Sequence, residues 1–119
     1  GWLGWMKQSA NAGFDGWRYD YVRGFSASYV GAYNTATAPY FSVGELWPDI
    51  TGDYYASCSS INYHRQKLMD WINATGDRSA AFDFTTKGIL QQAVQYNEFW
   101  RLRDSASAPG STSSPRSRP

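Results

Sequence analysis

Only two glutamates, Glu45 and Glu98, accompany eight aspartates in this chain, and position along predicted strands separates the acids by the chemistry open to them. In Trp17-Arg18-Tyr19-Asp20 the two-residue period of a strand puts Arg18 and Asp20 on one face. Trp17 and Tyr19 point to the other face, where flanking helices would cover them. An Arg and an Asp on the inward face of a buried strand are costly unless they are paired or functional. Asp20 also falls at the C-terminal end of its strand, the end at which parallel α/β sheets and barrels build their chemistry. Asp15 sits at the opposite end and reads as a stability residue.

Glu45 repeats this placement one βα unit later, sharing a strand face with Phe41 and Val43 and emerging where strand becomes loop. Asp20 and Glu45, 25 positions apart, are thereby delivered to one rim by two neighbouring parallel strands. Two carboxylates about 5 to 5.5 Å apart form the geometry of retaining glycoside hydrolysis, with one acid as nucleophile and the other as proton donor. Arg18 would hold Asp20 ionised, and apolar neighbours such as Trp47 would keep Glu45 protonated. The same spacing equally fits an Asp–Arg ion pair beside a surface glutamate, and the residues alone leave both readings open.

The elements that must position these groups punctuate themselves. Trp2, Leu3, Met6 and Ala10 follow helical spacing, with Gly13 where a C-terminal cap belongs. The run from Gly13 to Val22 is β-prone and closed by Gly24. Ser26 supplies an N-cap for a helix through Tyr29, Val30 and Tyr33 that ends before Pro39. Tyr40 to Val43 reads as a second buried strand, followed by a polar loop through Pro48, Asp49, Gly52 and Asp53. Ile61, Leu68, Trp71 and Ile72 share a helix face stopped by Gly76. Ala80 to Phe84 reads as a third strand, and Ile89, Leu90, Ala93 and Val94 mark a last helix capped by Thr85 or Thr86. Strands alternating with helices predict right-handed βαβ units and a parallel sheet.

Composition narrows the class. At 119 residues and 13.4 kDa the chain has room for one core, with roughly two thirds of the unfolded surface buried. Eleven basic against ten acidic side chains, a formal net charge of +1, give no broad footprint for nucleic acid or anionic lipid. The lone Cys58 excludes an intrachain disulfide framework and a cysteine-rich zinc site, with His64 its one nearby nitrogen ligand. No apolar run approaches the ~18 residues of a membrane span. The start, GWLGWMKQ, has neither an initiator Met nor a signal-peptide pattern, which reads as an internal piece or a processed end and leaves the compartment open. Six Trp and nine Tyr exceed the needs of a minimal core. Most of these rings are expected to be packing, with two or three lining a ligand groove.

GFDGWRYDYVRGFSASYVG and FSVGELW resemble the fourth- and fifth-strand motifs of the α-amylase glycoside hydrolases, most closely their plant-type members. HRQKLMDWINATG and AFDFTTKGIL are similar to plant-type sequence as well, and the likeness runs from about Leu3 to Asp104. The resemblance implies an α/β fold that is part of a (β/α)₈ TIM barrel, about the fourth to sixth strands with their helices. It makes residues 1–103 a fragment of the catalytic barrel domain. Residues 104–119, rich in Ser, Pro and Arg, are expected to be a disordered tail, because they cannot bury enough surface to offset their ordering entropy. By the same likeness Asp20 matches the catalytic nucleophile, Arg18 the invariant arginine beside it and Glu45 the general acid/base. Trp47 matches an aglycone-side aromatic, and Gly24 a residue whose backbone carbonyl helps bind a structural calcium. Arg23 stands where the family usually has a lysine contacting a glucose hydroxyl, keeping the charge but not the compact donor. The strand-three motif with its calcium ligands, the protruding domain after it and the strand-seven motif with its transition-state-stabilising Asp are not in these 119 residues. A truncated or mis-spliced product would look like this.

The remaining signals carry structural expectations. His64 is expected to cap a helix or pack at the surface, Asp83 to serve a turn or a cap, and Asn73-Ala74-Thr75 to be a chance sequon within a helix. Asp49 and Asp53 are expected to be solvated loop acids. Two functions follow: retaining endo-hydrolysis of α-1,4-glucans, or a catalytically dead remnant that binds glucan through Trp and Tyr faces. The partner in both is starch or a maltooligosaccharide, not nucleic acid or membrane, and open barrel edges predict self-association. The resemblance leaves the compartment open between extracellular and plastid.

Overall fold

A computed structural model of the chain describes residues 1–8, 12–47 and 58–102, with side chains in the last segment from residue 62 onward. The predicted loop acids Asp49 and Asp53, the Cys58 side chain and the 104–119 tail lie outside the described residues. The elements are α1 (Trp2–Lys7), β1 (Gly16–Tyr19), α2 (Ala27–Thr37), β2 (Phe41–Gly44), α3 (Cys58–Ala74), β3 (Ala80–Ala81) and α4 (Phe84–Gln95), with 3₁₀ turns at Val22–Gly24 and Phe99–Leu102. The strands form a parallel sheet in the order β1-β2-β3. The fold class is therefore α/β with a small parallel sheet, as the alternation of strand and helix predicts.

Local chemistry explains each boundary. Ser26 caps α2 by accepting the Ser28 N–H, and the helix ends on Ala38 in the left-handed region just before Pro39. The second strand begins at Phe41 rather than Tyr40, whose N–H turns aside to the Asp15 carbonyl at 2.7 Å. The third strand is shorter than predicted. Asp83 takes the Thr86 N–H at 2.9 Å and the Thr86 hydroxyl at 2.6 Å, so the cap of α4 is Asp83 rather than either threonine, and Phe84 joins the helix. The first helix stops at Lys7. Gly13 does adopt the left-handed conformation predicted for it, but it closes the loop beyond the helix by donating to the Gln8 carbonyl.

Two compact units divide the described residues. In the first, residues 1–48 and 67–82, the core is Val22, Val30 and Trp71, with Tyr19, Ala27, Leu46, Ile72 and Ala81 packed against it. Close approach is possible because two positions lack a side chain: a Cβ on Gly44 would lie 2.2 Å from the Trp71 ring, and one on Gly31 would lie 2.4 Å from the Thr75 carbonyl oxygen. In the second unit, whose described residues are 58–66 and 83–102, Phe84, Ile89 and Ala93 are buried, and Arg101 pairs with Glu98 at 2.6 Å while stacking on Trp100. His64 belongs here and is not a surface or capping residue. It is fully buried within α3, its Nδ1 2.5 Å from the Thr85 hydroxyl, so it is a core histidine.

The aromatic expectation is overturned as well. Trp17, Trp71 and Phe84 are buried, but Trp2, Trp5, Tyr29, Tyr40, Phe41 and Trp47 are among many large rings left at the surface. Among the described residues, helices pack against the Trp17–Tyr19 face of the sheet, where Trp17 and Tyr19 meet α2 and Gly44 meets Trp71.

Candidate active site

The pairing register places the two predicted acids side by side. Tyr19 pairs with Gly44 at the last rung of β1 and β2, so Asp20 and Glu45 occupy the next, equivalent positions beyond the strand ends. The backbone continues the ladder there: the Glu45 N–H donates to the Tyr19 carbonyl at 2.8 Å, and the Val22 N–H donates to the Glu45 carbonyl at 3.3 Å. Period-two alternation does the rest. Trp17 and Tyr19 face α2, donating the indole N–H to the Thr37 hydroxyl at 3.0 Å and the phenol to Asn34 Oδ1 at 2.9 Å. Arg18 faces the other way, toward both acids.

A single guanidinium spans the pair. Arg18 Nη1 lies 3.1 Å from Asp20 Oδ1, and Arg18 Nη2 lies 2.9 Å from Glu45 Oε2. Side-chain exposure is 51% for Arg18, 73% for Asp20 and 21% for Glu45, so Glu45 is the sheltered acid and Asp20 the wet one. The Asp20 carboxyl is held below its ordinary value, chiefly by a side-chain hydrogen bond with Glu45, with further lowering from the Arg18 charge and hydrogen bond and from the Tyr21 N–H; its partial desolvation works the other way. The sequence reading credited Arg18 alone with keeping Asp20 ionised; Glu45 contributes more.

Trp47 follows at the same rim with its indole half exposed. Arg23 lies on the 3₁₀ turn after Asp20 and donates to the Trp47 carbonyl. Two rim residues escaped the sequence reading. Phe82 follows β3, donates its N–H to the Gly44 carbonyl at 3.1 Å, and carries the Arg18 guanidinium 5.9 Å from its ring centroid. Its place one step beyond β3, matching Asp20 and Glu45 on their strands, was the available signal. Tyr21 holds a left-handed backbone, φ 46°, immediately after Asp20, a strained conformation that sequence pattern does not announce.

Asp83 caps α4, the turn or cap role expected of it. Calcium takes about six to eight oxygen ligands. Gly24 offers one neutral carbonyl, and among the described residues no group of three or more His, Cys, Asp or Glu is placed to hold a metal. No helix among the described residues is long and apolar enough to cross a membrane.

Two plant proteins are similar to nearly the whole chain. Over 108 residues, 91% of the chain, it is 48% identical to alpha-amylase 3, chloroplastic, of Arabidopsis thaliana. Over 109 residues, 92% of the chain, it is 47% identical to probable alpha-amylase 2 of the same plant. The chain is a stretch of alpha-amylase-family sequence. It spans 12% of the length of the first relative and 26% of the second. No family model matches it.

Proposed function

We propose that this chain carries the nucleophile and the general acid/base for retaining endo-hydrolysis of α-1,4-glucosidic bonds in starch-like glucans. The supporting observation is the one guanidinium of Arg18 gripping Asp20 and Glu45 at the C-terminal ends of two adjacent parallel strands. Glu45 donates its proton to the glycosidic oxygen while the Asp20 carboxylate attacks the anomeric carbon, breaking that bond and forming a glycosyl ester. Water, deprotonated by Glu45, then displaces Asp20 from the same carbon, restoring both acids and the original configuration. Arg18 helps to keep Asp20 anionic, and Trp47 and Arg23 flank the substrate. Gly24 enters as one carbonyl ligand of a structural calcium whose remaining ligands these residues do not supply.

In this proposal residues 1–103 are a segment of a (β/α)₈ barrel, with β1 to β3 as three consecutive strands. Open strand edges would favour self-association of the isolated chain, checked by its mass in solution. The exposure of Asp20 favours a second reading for the chain by itself, because acid–base chemistry gains most in a site closed to water. Alone it would be inactive and at most bind glucan through exposed rings. Hydrolysis of a blocked maltooligosaccharide separates the two, measured on the chain and on any longer product of the same gene. Turnover with retained α-configuration, abolished by Asp20→Asn, supports the first reading; no turnover from either protein overturns it.

A further inference from the structure

Among the described residues the Arg18 guanidinium has three side-chain partners, and one of them is not an acid. Nη1 and Nη2 lie 3.1 Å and 2.9 Å from Asp20 and Glu45, and the guanidinium carbon lies 5.9 Å from the Phe82 ring centroid. That distance is within the roughly 6 Å reach of a cation–π contact. We propose that Phe82 is a positioning residue, the uncharged partner that keeps the Arg18 guanidinium in place while negative charge passes between Asp20 and Glu45 during the reaction. This rests on the glucan-cleaving reading above and goes beyond it in giving a part to a residue at the third strand end.

The backbone sets where the ring stands. The parallel ladder runs one residue past the strands, with the Glu45 N–H on the Tyr19 carbonyl at 2.8 Å and the Phe82 N–H on the Gly44 carbonyl at 3.1 Å. Asp20, Glu45 and Phe82 therefore form one row beyond β1, β2 and β3, and Arg18, paired with Val43 two positions back, reaches up to all three. Neither bond that places Phe82 depends on the charge of an acid. The acids themselves change during the proposed cycle. In the free site Asp20 is the carboxylate and Glu45 holds the proton; in the glycosyl ester Asp20 is neutral, and Glu45, its proton given to the leaving oxygen, is the carboxylate. A hydrogen bond to an ionised oxygen is roughly twice as strong as one to a neutral oxygen. A guanidinium held by the acids alone would be drawn to whichever one was charged, and at 51% side-chain exposure water competes for it as well. The ring contact is the same in both states.

The test uses the whole chain. The ¹⁵N heteronuclear NOE of the Arg18 Nε–H, which reads how firmly the guanidinium is held, is measured in the parent, Asp20→Asn, Phe82→Ala and the double variant. Asp20→Asn puts a neutral oxygen where the ester would be. Each single variant should lower the NOE a little, and the double variant should lower it by more than the sum of the two. In the Asp20→Asn background Phe82→Tyr should keep the NOE, whereas Phe82→Leu, which fills the space without a ring and serves if the alanine variant does not fold, should lose it. A double variant no looser than Asp20→Asn overturns the proposal, as does a leucine variant held as firmly as the tyrosine one. In an active longer product of the same gene, Phe82→Leu should lower kcat about two- to fivefold and spare KM. A raised KM with kcat spared would put the ring on the sugar and overturn the positioning role. If neither protein turns over, the glucan reading loses support while the NOE still decides whether Phe82 holds Arg18.

Discussion

On the face of the sheet that α2 and the second half of α3 cover, the polar side chains of the strands pair within the protein: Trp17 on Thr37, Tyr19 on Asn34, and Ser42 on Ser79 at 2.8 Å inside the core. On the opposite face the alternate residues of the same strands present Arg18, Phe41 and, beyond the strand ends, Asp20 and Phe82 to solvent. The covered face holds the fold. The open face carries ion pairs that, exposed and screened, add little to stability. Substitutions should therefore sort by face, and a residue that moves both stability and turnover would blur the division.

The largest separation is expected at the rim. Asp20→Asn or Glu45→Gln should lower kcat on a blocked maltooligosaccharide by roughly 10²- to 10⁴-fold in a protein that shows turnover. The urea midpoint of either variant should stay at that of the parent. A large loss of stability in either would place these acids in the fold's framework.

Next come the close approaches on the covered face. Gly31→Ala drives a Cβ against the Thr75 carbonyl, a backbone atom that cannot step aside, and should cost about 1 to 3 kcal/mol in urea unfolding. Gly44→Ala meets the Trp71 side chain, which has some freedom to rotate, so it should cost less than Gly31→Ala. Phe41→Ser on the open face should cost least. The reverse ranking would mean that the sheet is held from the wrong side.

Tyr19 sharpens the comparison through pH. Its phenol is pushed up to about 12, first by burial and then by the neighbouring Tyr33. Because the folded value exceeds the ordinary 10.0, the contribution is complete below pH 10.0 and is lost as pH rises from there to about 12. Tyr19→Phe should flatten that alkaline limb and, by leaving Asn34 short of a donor, cost about 0.5 to 1.5 kcal/mol at neutral pH.

Sequence pattern was most legible where a local rule has one dominant cause. Period two sorted Trp17 and Tyr19 from Arg18 and Asp20, Ser26 announced its helix, and the repeat of strand and helix located Glu45 beside Asp20. Errors arose where one local bond outbid the pattern. The Asp83 side chain captured Thr86 and turned the end of a predicted strand into a helix, and the Tyr40 N–H was drawn to the Asp15 backbone carbonyl. His64 could not be placed because its burial depends on Thr85, 21 residues away, a contact no periodicity encodes. The barrel context is legible only through family likeness, since three parallel strands are common to many α/β folds.

The smallest expected effect concerns Asp20 itself. Its carboxyl titrates below the ordinary 3.8, so whatever it contributes to stability is present above pH 3.8 and disappears as pH falls through the lower, folded value. Because the group is exposed, its titration reports this more directly than unfolding does, and a carbon-detected NMR titration of the Asp20 carboxyl should give a midpoint under 3.8. Arg18→Met removes the cation but leaves the Glu45 contact, so the midpoint should rise part of the way. Glu45→Ala removes the larger cause and should raise it further. If Arg18→Met had the greater effect, the pair would reduce to an Asp–Arg ion pair beside a bystander glutamate, and the open face would lose the coupling of two acids that distinguishes it from ordinary charged surface.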